Sequence, residues 1–374
     1  MKWMFAAVVA LGVSVGLSLS WSVRGMMEPT ENLVRRPIAE FSPVSLLILS
    51  EFLLDYPEGL PLIKKALTLG HDVGILMNQI PEEGSDHKLK DFAAEIEKGR
   101  LQLIPFAHES IWVRDYLGIQ SSRSMMGHSV NEIIDFRYKE DFHVEDLGSH
   151  QLALTCPQSV IQIPLSLDGG NFLSNGQDCF MGADSTSLIV DEGGYQVLIQ
   201  ALKSEVGCET VYYFQDPPHE HVDMYLKVVS KDVVLVAEIP DLILEKTSSL
   251  DPVTAERILH LAHKMDAVAE QLEHKFQVVR IVTPLFTSEV LSSYINSVLL
   301  QDDILMPRYQ FPDHLDQLGF TRGLMTEIEA GVEVRLEELG LKVHWIDASE
   351  VIKGGGALHC ITYQIHRAEQ SVAH

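Results

Sequence analysis

Short apolar segments alternate with amphipathic segments along most of this chain, and that alternation limits the fold more than any other feature. Residues 44–49, 73–77 and 101–106 are apolar runs of strand length, whereas residues 60–69 and 88–98 have the apolar spacing of helices. Strands that alternate with helices are typical of α/β proteins, so the pattern predicts that class.

Two of the predicted strands form a hairpin. Residues 224–229 and 233–237 are separated by only a short polar connection. An antiparallel pair inside an α/β chain argues against a sheet that is parallel throughout. Further strands are predicted at residues 133–136, 160–165, 187–190 and 211–214.

Two longer helices complete the predicted core. Residues 252–276 carry one apolar stripe and begin at an Asp-Pro pair, which marks a helix start. Residues 324–339 have apolar residues at four-residue spacing and end before Gly340. No Pro- or Ser-rich linker divides the chain after the N-terminal segment, so residues 41–368 are predicted to form a single catalytic domain.

The N-terminal segment has a different character. Lys2 precedes an apolar run at residues 5–19, which predicts a signal peptide over residues 1–20. Ser18 and Ser20 are small residues of the kind a signal peptidase recognises, so cleavage after Ser20 is expected. The run is short for a membrane span, and an uncleaved N-terminal anchor is the alternative. Both forms predict a protein outside the cytoplasm, either periplasmic or secreted.

The charge balance restricts the partners of the protein. The chain has 53 acidic and 28 basic residues and a formal net charge of -25. Nucleic acid is excluded as a partner, because its binding requires lysine and arginine to replace counterions. Cationic ligands are attracted instead. A membrane is a partner only if the N-terminal segment stays uncleaved.

Cys360 is the candidate nucleophile. Glycines at positions 354–356 precede it, and glycine permits positive φ and close approach of the backbone, which presents the next side chains at a pocket. The alternative is a loose turn followed by a buried strand cysteine. Four cysteines are too few for a disulfide framework, although export would permit a disulfide among Cys156, Cys179 and Cys208.

Two stretches upstream combine polar groups. Trp112, Arg114 and Asp115 lie within four residues, a pattern that a surface ion pair beside an anchoring tryptophan also explains. Asp168 and Asn171 flank two glycines, and turn chemistry alone accounts for that arrangement. Neither stretch identifies a function by itself.

The stretch from His219 to Asp223 is more specific. Residues two apart share a face of an extended strand, so His221 and Asp223 are predicted to lie side by side. Three such side chains are also potential zinc ligands. No His-x-x-x-His or Cys-x-x-Cys partner is present elsewhere, and we therefore predict that the site holds no metal.

Taken in order, these stretches resemble the motifs of the guanidine-modifying deiminases, in particular agmatine deiminases and bacterial peptidylarginine deiminases. The motifs are W-x-R-D, D-G-G-N, H-x-D, Y-x-N at residues 294–296 and G-G-G-x-x-H-C, and the resemblance covers residues 44–364. It implies the pentein fold, an α/β propeller of five ββαβ units around a pseudo-fivefold axis with the active site at its centre.

The resemblance also implies two sets of site residues. In the catalytic set, Cys360 is the nucleophile, His221 is the general acid and base, and Asp115 and Asp223 hold the guanidinium. In the substrate-binding set, three residues would line the pocket and two would brace it; these are Trp112, Asn171 and Asn296, followed by Arg114 and Asp168. His359 belongs to the last motif without an assigned role.

These residue types suit the chemistry. A guanidinium is a planar cation whose N–H donors two carboxylates can accept. A thiolate beside that cation and beside protonated His221 should have a lowered pKa and can attack the guanidinium carbon. Ammonia would leave a covalent thiouronium, and water would release the ureido product. No metal or organic cofactor is needed.

We therefore predict hydrolytic deimination of a small cationic guanidine compound, with agmatine giving N-carbamoylputrescine and ammonia. One alternative is deimination of free arginine or of an arginine-containing peptide to citrulline. An alternative of another class is an exported binding protein that holds cationic ligands without turning them over. A further, less favoured alternative is an enzyme that transfers the amidino group to another molecule instead of hydrolysing it.

The sequence departs from its relatives at two places. Relatives of the agmatine type usually follow W-x-R-D with one residue and then Gly-Pro, but this chain continues with Tyr116-Leu117-Gly118. Residues 135–138 are similar to a segment of bacterial peptidylarginine deiminases, but Lys139 follows, and no arginine pair for a peptide carboxylate is evident. Both departures concern the region that would bind the far end of the substrate.

Overall fold

Each sheet of the protein contains an antiparallel strand pair extended by a parallel strand. The computed structural model describes residues 34–80, 88–125, 128–139, 142–183, 192–284, 292–310 and 322–367, and the described residues from Arg35 onward pack as one compact unit. The strands are β1 (Val34–Pro37), β2 (Val44–Ser50), β3 (Val73–Met77), β4 (Leu101–Pro105), β5 (Ile119–Met125), β6 (His128–Arg137), β7 (Ser159–Ser166), β8 (Leu173–Ser174), β9 (Asp178–Gly182), β10 (Thr210–Phe214), β11 (Leu226–Val228), β12 (Val233–Glu238), β13 (Gln277–Val282), β14 (Val298–Leu300), β15 (Asp303–Arg308), β16 (Lys342–Asp347) and β17 (Tyr363–His366).

Helices connect the strands. They are α1 (Gly59–Thr68), α2 (Ala93–Glu97), α3 (Val113–Tyr116), α4 (Gly148–Thr155), α5 (Glu192–Ala201), α6 (Asp241–Lys246), α7 (Pro252–Glu273) and α8 (Arg322–Glu338). Helix α7 begins where the sequence predicts, because the Asp251 side chain accepts a hydrogen bond from the Thr254 N–H at 3.0 Å and proline occupies the first turn. Its apolar stripe, which includes Ile258 and Met265, is buried.

Among the described residues, the strands form five sheets with the orders β1-β5-β6-β7, β10-β9-β8, β11-β12-β13, β14-β15-β16 and β17-β2-β3-β4. In each sheet, one antiparallel pair, such as β11 with β12, is followed by a helix and a parallel strand, such as β13. This is the repeated ββαβ unit of the pentein fold. The final strand, β17, pairs antiparallel with β2 and so joins the two ends of the described chain.

Several predictions from the sequence are confirmed and others are corrected. The hairpin of β11 and β12 and the strand β3 lie where predicted. The predicted helix at residues 88–98 is broken into a 3₁₀ turn and the short α2. The predicted strand at residues 224–229 begins only at Leu226, because residues 222–224 form a 3₁₀ turn.

Two predicted features lie outside the described residues. They are the signal segment at residues 1–20 and the strand at residues 187–190. Within the described ranges, no helix is long and apolar enough to span a bilayer.

One disulfide joins β9 to the segment that leads into β10. Cys179, on β9, is bonded to Cys208, which lies shortly before β10. Cys156 and Cys360 are free thiols. Cys360 is therefore available for chemistry.

Candidate active site

The glycine-rich segment brings Cys360 against Trp112. Gly355 has a φ of 92°, a left-handed conformation that glycine adopts without strain. A Cβ atom on Gly356 would lie 2.6 Å from the Trp112 ring and 3.0 Å from Cys360 Sγ, so only glycine fits between them. Cys360 is 3% exposed and lies in the turn before β17, not in a strand.

A single amide fixes the backbone around the thiol. Asn296 Oδ1 accepts hydrogen bonds from the N–H groups of Ala357, His359 and Cys360 at 3.1, 3.0 and 3.3 Å. Its Nδ2 donates to Cys360 Sγ at 3.1 Å and to the Asp223 carbonyl at 3.3 Å. Asn296 therefore orients the candidate nucleophile as well as lying beside it.

Asp223 is a fully buried carboxylate next to this thiol. Its Oδ2 and Oδ1 atoms lie 3.6 and 3.9 Å from Cys360 Sγ, and Oδ2 lies 2.7 Å from His359 Nδ1. Burial acts to raise the pKa of Asp223, but the hydrogen bond and charge of His359 bring that pKa below its ordinary value. Asp223 is therefore ionised at neutral pH.

His221 lies between two other carboxylates. Its Nδ1 is 3.5 Å from Asp115 Oδ1 and its Nε2 is 3.2 Å from Asp168 Oδ2. Burial acts to lower the pKa of His221, but Asp115 and Asp168 outweigh it and raise the pKa to about 10. The ring is consequently protonated at neutral pH.

His221 and Asp223 do not share a strand face as predicted. His221 precedes the 3₁₀ turn at residues 222–224 in extended conformation, and Asp223 lies inside that turn. The prediction of an extended strand is wrong, because the tertiary contacts of both side chains impose the turn. The structure nevertheless brings them into one cluster, since His221 lies beside Asp115 and the charges of Asp115 and Asp223 both act on Cys360.

Burial and neighbouring carboxylates disfavour the ionisation of two groups in the cluster, Asp115 and Cys360. Burial raises the pKa of Asp115 to about 7, and the neighbouring Asp168 and Asp223 act in the same direction, whereas His221 opposes them. Burial raises the pKa of the Cys360 thiol well above its ordinary value, and Asp223 and Asp115 add to that effect. The thiol is therefore protonated unless a cation enters beside it.

The remaining predicted residues occupy supporting positions. Arg114 is buried, donates a hydrogen bond to the Gln364 side chain and stacks 5.4 Å from the centre of the Tyr363 ring, so it braces β17. Asp168 contacts His221 and lies 3.3 Å from Lys139.

Both ends of the Asn171 side chain form hydrogen bonds with backbone groups. Its Nδ2 donates to the Gly182 carbonyl at 2.9 Å, and its Oδ1 accepts from the Gly182 N–H at 3.0 Å. The amide therefore holds its turn against β9, and its place in the pocket lining stays a prediction.

Two buried charges near the site were not predicted. Glu40 Oε2 lies 3.1 Å from His359 Nε2 and 3.8 Å from Lys227 Nζ. No motif includes Glu40, so the sequence gives no signal for it. Lys227 had one signal, because it is a lysine within the apolar segment that forms β11. In the part of the chain that the structure describes, no group of three His, Cys, Asp or Glu side chains is arranged to hold a metal ion.

Comparisons with known proteins point to one family. Residues 62–365 match the family model of the Porphyromonas-type peptidyl-arginine deiminases. A provisionally named agmatine deiminase of Legionella pneumophila is 22% identical over 327 residues, which are 83% of this chain and 86% of that protein.

Solved structures share the fold. The agmatine deiminase of C. jejuni superposes with a TM-score of 0.67 at 15% identity, over 91% of this chain and 99% of that one. The agmatine deiminase of Enterococcus faecalis has a TM-score of 0.62 at 14% identity, over 90% of this chain and 96% of that one.

Proposed function

Because the chain belongs to the family of Porphyromonas-type peptidyl-arginine deiminases, we propose that it hydrolyses a guanidine compound at the cluster around Cys360, with agmatine as the preferred substrate. The products would be N-carbamoylputrescine and ammonia. One observation carries this proposal: the free Cys360 thiol lies 3.6 Å from the buried, ionised Asp223, and a cation bound beside this carboxylate would oppose the effect by which Asp223 and Asp115 disfavour a thiolate.

The bound cation would activate the nucleophile. Asp115 and Asp223 accept hydrogen bonds from the guanidinium, whose positive charge opposes the effect of these carboxylates on Cys360. The Cys360 thiol then loses its proton to solvent water, from which it later reaches the released ammonia, and the thiolate attacks the guanidinium carbon. A tetrahedral adduct forms in which sulfur is bonded to the former guanidinium carbon.

His221 would move the protons of both steps. Its raised pKa keeps it protonated at neutral pH, so it donates a proton to the departing nitrogen as the C–N bond breaks and ammonia leaves. The product of this step is a covalent thiouronium. The now neutral ring takes a proton from water, whose oxygen attacks the same carbon. The C–S bond breaks, and the ureido product and the Cys360 thiol are released.

Charge supports agmatine over free arginine. Agmatine is a dication, which a protein of net charge -25 attracts, whereas the carboxylate of free arginine is repelled by that charge. We expect turnover of agmatine to exceed that of free arginine at low salt.

Incubation with agmatine, free arginine and an arginine-containing peptide, followed by ammonia and ureido assays, tests this function. We expect ammonia release from agmatine, no turnover by Cys360→Ala with affinity kept, and weaker binding by Asp223→Ala. Cys156→Ala is the matched control, because it removes the other free thiol, and its turnover should be normal. Agmatine binding without ammonia release would instead identify a binding protein.

We also propose that the protein is exported after cleavage near residue 20. The apolar run at residues 5–19 and the disulfide between Cys179 and Cys208 support this proposal, since disulfides persist in oxidising compartments. Mass spectrometry of the purified protein should find a mature N-terminus near Trp21. An intact Met1 on cytoplasmic protein would contradict it.

A further inference from the structure

Glu40 is connected to the candidate nucleophile by an unbroken series of buried contacts. It lies between β1 and β2, and its Oε2 is 3.1 Å from His359 Nε2. His359 Nδ1 is 2.7 Å from Asp223 Oδ2, and that oxygen is 3.6 Å from Cys360 Sγ. His359 and Asp223 are fully buried, and Glu40 is 8% exposed, so water does not compete for these contacts.

The ring of His359 has a carboxylate at each nitrogen. An ionised carboxylate only accepts hydrogen bonds, so each ring nitrogen must carry a proton to satisfy its partner. Burial and the charges of Arg114 and Lys227 bring the pKa of His359 below its ordinary value, and the hydrogen bonds to Asp223 and Glu40 oppose that effect. A neutral ring has only one N–H, so its other nitrogen would place a lone pair against a carboxylate. The pKa values of both carboxylates are lowered, which disfavours their protonation. The two contacts therefore favour a ring that donates a hydrogen bond from each nitrogen.

Lys227 provides the countercharge for Glu40. Its Nζ lies 3.8 Å from Glu40 Oε2, is fully buried and has no hydrogen-bond partner among the described residues. Burial lowers the pKa of Lys227 to about 8, and Glu40 acts to raise it. Buried ion pairs of this kind add little stability compared with apolar residues, so a role in the neighbouring site is the better explanation for this pair.

We propose that Glu40 is a positioning residue for the reaction: acting through His359, it holds Asp223 ionised and oriented toward the guanidinium that Cys360 attacks. Without the Glu40 charge, His359 has no second carboxylate to satisfy and becomes neutral. Asp223 then loses a cationic partner and binds the substrate less tightly. The identity of the bound cation rests on the proposed function, whereas the contacts themselves are a property of the protein.

Glu40→Gln tests the kinetic consequence, because it keeps the side-chain size and an acceptor oxygen but removes the charge. We expect kcat/KM for agmatine at neutral pH to fall by about 10- to 100-fold, the size of the loss when residues that orient metal ligands are changed, because Glu40 likewise orients a binding group through one intermediate residue. The loss should appear mainly as a raised KM, because Asp223 accepts hydrogen bonds from the bound guanidinium. An unchanged KM in a folded Glu40→Gln protein would overturn the proposal.

Two further variants separate positioning from folding. Glu132→Gln is the matched control. It removes another buried, ion-paired carboxylate, which contacts Arg35 at 3.0 Å and Arg123 at 2.8 Å, and the KM of this variant should not change.

The double variant Glu40→Gln with Lys227→Met removes both charges of the buried pair, so it avoids an unpaired lysine. Its KM should remain raised. A wild-type KM in the double variant would overturn the proposal.

Nitrogen NMR of histidine-labelled protein gives a readout that does not depend on turnover. We expect both ring nitrogens of His359 to be protonated at neutral pH in the wild type and only one in Glu40→Gln, with His359→Gln identifying the signals. The same protonation state in both proteins would contradict the relay. If the wild type releases no ammonia from any guanidine, the proposed function fails, and the NMR result still decides the role of Glu40.

Discussion

Replacement of Asn296 by alanine should both destabilise the protein and inactivate it, because one amide supports the whole turn around Cys360. Its Oδ1 accepts three backbone N–H groups and its Nδ2 donates to the thiol and to the Asp223 carbonyl. Asn296 is fully buried, so bulk water does not replace these bonds. The substitution removes this acceptor from all three N–H groups, but the His359 N–H keeps a second one, the backbone carbonyl of residue 296 at 3.2 Å.

The magnitude follows from the N–H groups of Ala357 and Cys360, because the His359 N–H keeps a backbone acceptor. A buried donor that loses its partner costs about 1–3 kcal/mol, and the Ala357 N–H, whose bond is 3.1 Å, should carry most of this cost. The Cys360 N–H, at 3.3 Å, adds less. We expect Asn296→Ala to lower the free energy of unfolding by about 2 kcal/mol, since the turn relaxes in part.

Asn296→Asp separates stability from catalysis. It retains an acceptor oxygen for the three N–H groups, so the loss in stability should be smaller. Its second oxygen replaces the group that donates to Cys360 Sγ, and the added negative charge raises the pKa of the thiol further. We expect Asn296→Asp to be folded and nearly inactive.

Urea unfolding and ammonia release measure both effects. A loss below about 1 kcal/mol in Asn296→Ala, less than one buried donor costs, would refute the assigned supporting role. Normal turnover by Asn296→Asp would refute the electrostatic part of the reasoning.

Three further predictions concern pH, the disulfide and the glycine turn. Asp115 must be ionised to hold a cation and its pKa is raised to about 7, so a pH profile of kcat/KM should fall as pH decreases through about 7; a profile flat down to the ordinary aspartate range would contradict this. Cys179→Ser should lower the unfolding free energy by about 3.5 kcal/mol, since the bond to Cys208 closes a loop with a sequence separation of 29, whereas equal stability of oxidised and reduced wild type would argue against that bond. Gly356→Ala should abolish ammonia release because its Cβ would lie 3.0 Å from the Cys360 sulfur, while Gly331→Ala, with no atom within 4 Å of the added carbon, should keep full activity.

The sequence predicted the features that depend on local pattern. The hairpin of β11 and β12, the long helix α7 and the glycine approach to Cys360 each follow from residue types that restrict the backbone over a few positions. Strand β5 was missed because its polar run, Gln-Ser-Ser-Arg-Ser, lacks apolar alternation, and its pairing with β6 supplies the stability instead. The five repeated units were likewise visible only through sheet pairing.

In the candidate site, too, some features follow from the sequence and others depend on distant contacts. Order along the chain was enough to connect Asp115, His221 and Cys360 through a family resemblance. The 3₁₀ turn at residues 222–224 was not, because its conformation depends on contacts of Asp223 with His359 from a distant segment. Glu40 could not be predicted for the same reason, because it contacts His359, which lies more than three hundred positions away in the sequence.

Mass spectrometry of acid-quenched protein during steady turnover of agmatine tests the central claim most directly. If Cys360 is the nucleophile, the peptide that contains it should carry an added mass equal to agmatine less ammonia, and Cys360→Ala should show neither the adduct nor ammonia release. Steady ammonia release with no adduct, or with the adduct on another residue, would contradict the assignment of Cys360.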